Sequence, residues 1–153
     1  MDHLNDHRVR RRGYYLKSKL ICYQRYFAWQ LLTKYATDAT VKSLVDKFDF
    51  YITPIVNPDG FLYSQTTDRL WRKNRQPVSG NTCVGRDINR NWPYKWEVTG
   101  GASTNPCSET YKGQTAGDSP ENRGLRTQVD ALKASRGIRL YLDMQYVCTC
   151  PET

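Results

Sequence analysis

The segment CVGRDINRNW, Cys83 to Trp92, sets Arg90 between the carboxamides of Asn89 and Asn91. Such a triplet makes a poor strand and an ordinary helical turn. As recognition chemistry it is apt, because guanidinium and amide donors side by side suit a carboxylate. A second basic segment, DRLWRKNR, adds Arg69, Arg72, Lys73 and Arg75. Lys73 and Arg75 are expected on a solvated basic face, and Trp71 and Trp92 as packing residues that hold the loops.

Thiols and imidazoles offer less. Cys83 and Cys107 lie in the loop-like CVG and NPCSET, Cys148 and Cys150 in the final YVCTCPET, and Cys22 stands alone. A Cys-x-Cys pair lacks the spacing of a zinc site, so metal binding by thiolates is not expected. A Cys83–Cys107 disulfide stapling a loop fits better and implies an oxidising compartment. His3 and His7 are the two histidines. No glutamate lies between them and no apolar face would fix them, so they read as part of an exposed tail.

The elements that must position these groups alternate. QRYFAWQLLTKYA, residues 24–36, spaces Phe27, Leu31 and Tyr35 as one face of a helix. Asp38 can cap a shorter second helix through ATVKSLVDKF. FDFYITPIV reads as a buried strand closed by the turn residues Asn57-Pro58-Asp59-Gly60. From Phe61 to Gly117 there is little periodicity, and a loop of that length is usually functional or disordered. Ser119-Pro120-Glu121 opens another helix, with Leu125, Val129 and Leu132 as its stripe. IRLYLDM predicts a second strand. The pattern is α/β, with helices flanking a mixed, mostly parallel sheet and the functional loop beyond the first strand.

Charge and hydropathy exclude two classes. The net charge is +8, but residues 1–25 carry seven Lys/Arg against two Asp, and the remainder sixteen against thirteen acids. The excess is mostly a basic tail around Arg8, Arg10, Arg11 and Arg12, so nucleic acid is not the expected partner. No apolar run approaches the length of a membrane span.

IVNPDGF, DRLWRKNR and CVGRDINRNW, followed by GAS and PCSETYKG, closely resemble the zinc metallocarboxypeptidases of the pancreatic carboxypeptidase A/B type. The fungal secreted subgroup is the most similar, and the resemblance runs from about Tyr26 to Asp143. It implies hydrolysis of the C-terminal residue of peptides, zinc as cofactor, peptide or protein C-termini as partners, and a secreted location. By the same resemblance, Asn89 and Arg90 grip the free C-terminal carboxylate. Arg72 polarises the scissile carbonyl and stabilises the oxyanion, and Arg69 is an auxiliary arginine on the carboxylate's path. Asp87 orients a zinc-ligating histidine, and Cys83 with Cys107 matches the family disulfide.

The pattern fails at its metal. The family's His-x-x-Glu motif aligns over Tyr14, Tyr15, Leu16 and Lys17, and the third ligand position after Met144 holds Gln145. A lysine ammonium in place of a carboxylate opposes a cation. The expectation is a family member truncated at both ends, with no metal ligands, no general base and no turnover by this chain. It would comprise a basic, disordered tail at 1–22, a partial catalytic domain at 23–144 built as an incomplete carboxypeptidase-like α/β/α sandwich, and an unrelated tail at 145–153. The alternatives are a noncatalytic binder of peptide C-terminal carboxylates, a nucleic-acid binder acting through residues 8–25, and an incomplete sheet whose uncovered edge needs a partner.

Overall fold

The structure, a computed structural model, describes residues 23–97 and 100–144. The expected tails at 1–22 and 145–153, with His3, His7, Tyr14, Lys17 and Gln145, lie outside the described residues. The chain divides into two compact units, one of Met1–Val56 with Asp143–Thr153 and one of Asn57–Leu142.

In the first unit, helix α1 covers residues 23–34 and α2 covers Ala39–Lys47. Asp38 starts α2 as foreseen, its carboxylate accepting from Thr40 N at 2.8 Å and Val41 N at 3.1 Å. Tyr35 and Lys42 both donate to Asp46, at 2.7 and 2.8 Å, which ties the two helices together at the surface. The rings of Phe27 and Phe50 meet edge to face at 6.0 Å.

The second unit contains α3 (Pro58–Thr66), a 3-10 turn η1 (Ile88–Arg90) and α4 (Pro120–Ser135). Helix α3 stands where a turn and the start of a long loop were expected. Asn57 caps it, accepting from Gly60 N at 2.9 Å, and Pro58 occupies its first turn. Gly60 is obligatory there, because an added Cβ would meet Lys73 O at 2.6 Å. Ser119 caps α4, accepting from Asn122 N at 3.0 Å while its hydroxyl donates to Asn122 Oδ1 at 2.6 Å.

The expected mixed sheet is not there. Among the described residues there is no strand, and one isolated parallel bridge joins Ser103 to Tyr111. Both predicted strands, FDFYITPIV and IRLYLDM, are extended or irregular without a ladder. Their side chains face solvent, with Tyr51 59% and Leu140 72% exposed. An apolar, β-branched run does not by itself make a strand, which exists only when a neighbour supplies its hydrogen bonds. The α/β sandwich is therefore corrected, among the described residues, to four α-helices, a 3-10 turn and connecting segments.

The interior of the second unit is largely polar. Val78 and Tyr111 are its buried apolar residues, beside buried Lys73, Asn74, Arg86, Asp87, Asn91 and Asn122. A polar interior is stable only when its groups find partners. Here Asn74 Nδ2 donates to Glu121 Oε2 at 2.8 Å and its Oδ1 accepts from Arg86 N at 2.8 Å. Arg86 Nε donates to both oxygens of Asp118 at 2.8 Å.

Burial raises the Tyr111 phenol above its ordinary value of 10.0, nearby Arg86 opposing and Asp118 adding to the effect. The folded state thus keeps this proton after the unfolded chain has lost it. Its contribution is fully present below about pH 10 and declines as pH rises through the raised value. Denaturant midpoints followed into the alkaline range should fall more steeply for the wild type than for Tyr111→Phe. Parallel curves would contradict this.

Candidate functional site

Asn89 and Arg90 belong to η1. Asp87 precedes it and caps it, its Oδ1 accepting from Asn89 N at 3.0 Å. Asp87 N itself donates to the Tyr111 carbonyl at 2.8 Å, so the turn is anchored to the backbone of a buried residue. Gly85 permits the approach of this segment: with φ at +89°, its missing Cβ would collide with Asn74 O. Immediately after the turn, Asn91 is fully buried. Its Nδ2 donates to Lys112 O and Asp118 Oδ1, both at 2.7 Å, and its Oδ1 accepts from Ser119 N at 2.9 Å. Asn122 Nδ2 donates to Ile88 O at 3.1 Å from α4. The backbone of residues 87–91 is thus held on both sides by buried amides.

Arg90 Nε donates to Gly101 O at 2.7 Å, which orients the guanidinium. Asn89 and Arg90 line one small cavity of about 130 Å³ with Trp92, Tyr94, Lys95 and Trp96. Lys95 adopts φ 53°, in the left-handed region that bulky residues seldom occupy.

Arg72 reaches the same turn from the loop after α3. That loop is held by Asn57 Nδ2, which donates to Lys73 O at 3.1 Å, and by Trp71 meeting Tyr63 edge to face at 4.9 Å. Arg72 Nε donates to Asp87 Oδ2 at 2.9 Å and Nη2 lies 2.8 Å from the same oxygen. One carboxylate therefore joins Arg72 to Asn89. The Arg72 side chain is 44% exposed and that of Asp87 3%, so a buried acceptor holds a guanidinium that still faces solvent. The structure brings Arg72, Asp87, Asn89 and Arg90 into one connected group, although Arg72 does not line the Arg90 cavity. Arg69 sits on the exposed turn after α3 and lines neither that cavity nor the larger one near Lys73.

Cys83 and Cys107 form the disulfide, with Cα atoms 5.1 Å apart. Sequence reasoning missed two features. Lys73, assigned to a solvated face, is 2% exposed, and Arg75 lies over two aromatic rings. The Arg86–Asp118–Asn91 network joins residues too distant in sequence for any local signal, although the buried cap at Ser119 marked its far end.

A family profile described as zinc carboxypeptidase matches residues 23–147. The chain belongs to the zinc carboxypeptidase family. Metallocarboxypeptidase A of Arthroderma otae is 51% identical over 118 residues, covering 77% of this chain and 28% of that protein. An inactive metallocarboxypeptidase, ecm14, of Talaromyces stipitatus is 45% identical over 100 residues, 65% of this chain and 17% of its own. Among solved structures, thrombin activatable fibrinolysis inhibitor matches with a TM-score of 0.69 at 35% identity, covering 79% of this chain and 30% of that one. The chain thus spans less than a third of the length of these relatives.

The zinc that the family implies finds no fitting set among the described residues. Among the described residues no group of three His, Cys, Asp or Glu side chains could hold a metal ion. Asp87 is occupied by Arg72 and Asn89 N, and Cys83 and Cys107 are bonded to each other. Among the described residues no helix is long and apolar enough to cross a membrane.

Proposed function

We propose that this zinc carboxypeptidase relative grips the free C-terminal carboxylate of peptides with Arg90 and Asn89, and that it does not hydrolyse them by itself. The carrying observation is the connected group of Arg72, Asp87, Asn89 and Arg90, with Asn89 and Arg90 on one cavity. The guanidinium and the neighbouring carboxamide supply charge-assisted donors for one carboxylate. Arg72, tied to the same turn through Asp87, would meet the carbonyl of the last peptide bond, where an oxyanion develops during hydrolysis. Arg69 would attract the incoming carboxylate from the rim. In this chain Asp87 takes Arg72 as its partner in place of a histidine.

The absence of turnover follows from residue chemistry at three positions. By the resemblance, Tyr14, Lys17 and Gln145 would stand where the family places two histidines and a glutamate. A relative named as inactive at 45% identity is consistent with the scaffold serving without catalysis. The disulfide suits an oxidising compartment, and we place the protein outside the cell.

Zinc content of the purified protein, measured alongside a chromogenic C-terminal substrate assay, tests the noncatalytic half of this reading. Substoichiometric zinc and no turnover are expected. Stoichiometric zinc with turnover would overturn it.

A further inference from the structure

A second cavity has a volume of about 290 Å³ and shares no lining residue with the first. Lys73, Arg75, Glu109, Trp71 and the Cys83–Cys107 disulfide line it. Lys73 is 2% exposed, and its ammonium donates to Pro106 O at 2.7 Å. That is its one hydrogen bond among the described residues, so its other N–H donors are unspent. The Arg75 guanidinium carbon lies 3.7 Å from the Tyr63 ring centroid and 4.6 Å from that of Trp71. The rings hold its position by cation–π attraction, while no described acceptor takes a hydrogen bond from its N–H groups.

Two cations therefore converge on one small cavity. Burial lowers the Lys73 amine from its ordinary value of 10.5, and the Arg75 charge adds to the effect. Glu109 opposes that shift from a distance but forms no ion pair with either cation among the described residues. A buried ammonium with unspent donors beside a like charge is costly unless an anion shares the site.

We propose that this cavity binds a small oxyanion, a sulfate, phosphate or small-molecule carboxylate group, between the Lys73 ammonium and the N–H edge of Arg75. It is separate from the Asn89–Arg90 grip and does not depend on it. The disulfide is part of the site, because it fixes Cys107 and with it the Pro106 carbonyl that holds Lys73.

Calorimetric titration of the full chain with inorganic phosphate, at constant ionic strength, tests the proposal. Saturable one-to-one binding is expected. Arg75→Gln should weaken it about tenfold, the scale of one charge-assisted bond. Glu109→Gln, which removes the competing carboxylate, should tighten it, and Arg90→Gln should leave it in place. Lys73→Met should act as Arg75→Gln does. Lys73 is buried and its replacement also bears on folding, so Arg75→Gln and Glu109→Gln decide the matter. Parallel titrations with sulfate and acetate rank the anion classes. Loss of binding in Arg90→Gln, no response to Arg75→Gln and Glu109→Gln, or no saturable binding of any of the three anions would overturn the proposal.

Discussion

Replacing Asp118 with alanine is expected to cost about 3–5 kcal/mol of stability, the scale for removing one partner of a buried ion pair. The Arg86 side chain is 4% exposed and that of Asp118 15%. The same carboxylate accepts from Asn91 Nδ2 at 2.7 Å and Gln114 N at 3.2 Å. Alanine would leave a buried guanidinium and a buried amide without their acceptor. Asp118→Asn, which keeps an acceptor oxygen, should cost less. Urea unfolding midpoints measure the difference, and a loss below about 1 kcal/mol, the scale of a solvated surface pair, would mean that the network does not hold the unit together. The variant also reports on the grip, since Asn91 follows Arg90 directly.

The second large effect is on binding. Arg90→Ala should weaken the affinity for a peptide with a free C-terminus by about 30- to 140-fold, as expected for a charge-assisted bond worth about 2–3 kcal/mol. Asn89→Ala should cost less, because a neutral amide makes a weaker bond. Asn89 and Arg90 line the cavity side by side, whereas Arg72 is held outside it by Asp87. Arg72→Ala should accordingly leave carboxylate affinity within a few-fold. Equal losses for Arg72→Ala and Arg90→Ala would place both guanidiniums on the same ligand.

The sequence made the caps legible because they are local: Asp38 and Ser119 each bond backbone within three residues of themselves. Helix α3 carried the same signals, Asn57 before Pro58 with Asp59 in the first turn. It was passed over because PDGFLYSQT shows little amphipathic stripe and contains a turn-like Asp-Gly pair. The disulfide was legible as a motif. The sheet was the misreading, since periodicity specifies which face of a strand is apolar but not what pairs with its edges. Lys73 was misplaced for a related reason: a lysine is ordinarily solvated, and only the fold shows Pro106 O and Trp71 enclosing this one.

The grip is tested most directly by comparing one peptide as its free acid and as its C-terminal amide, titrated into the protein in the presence of a chelator. A ligand held through its terminal charge should bind as the acid, fall at least about tenfold as the amide, and ignore the chelator. Equal affinity for acid and amide, or binding that vanishes once metal is removed, would contradict the account.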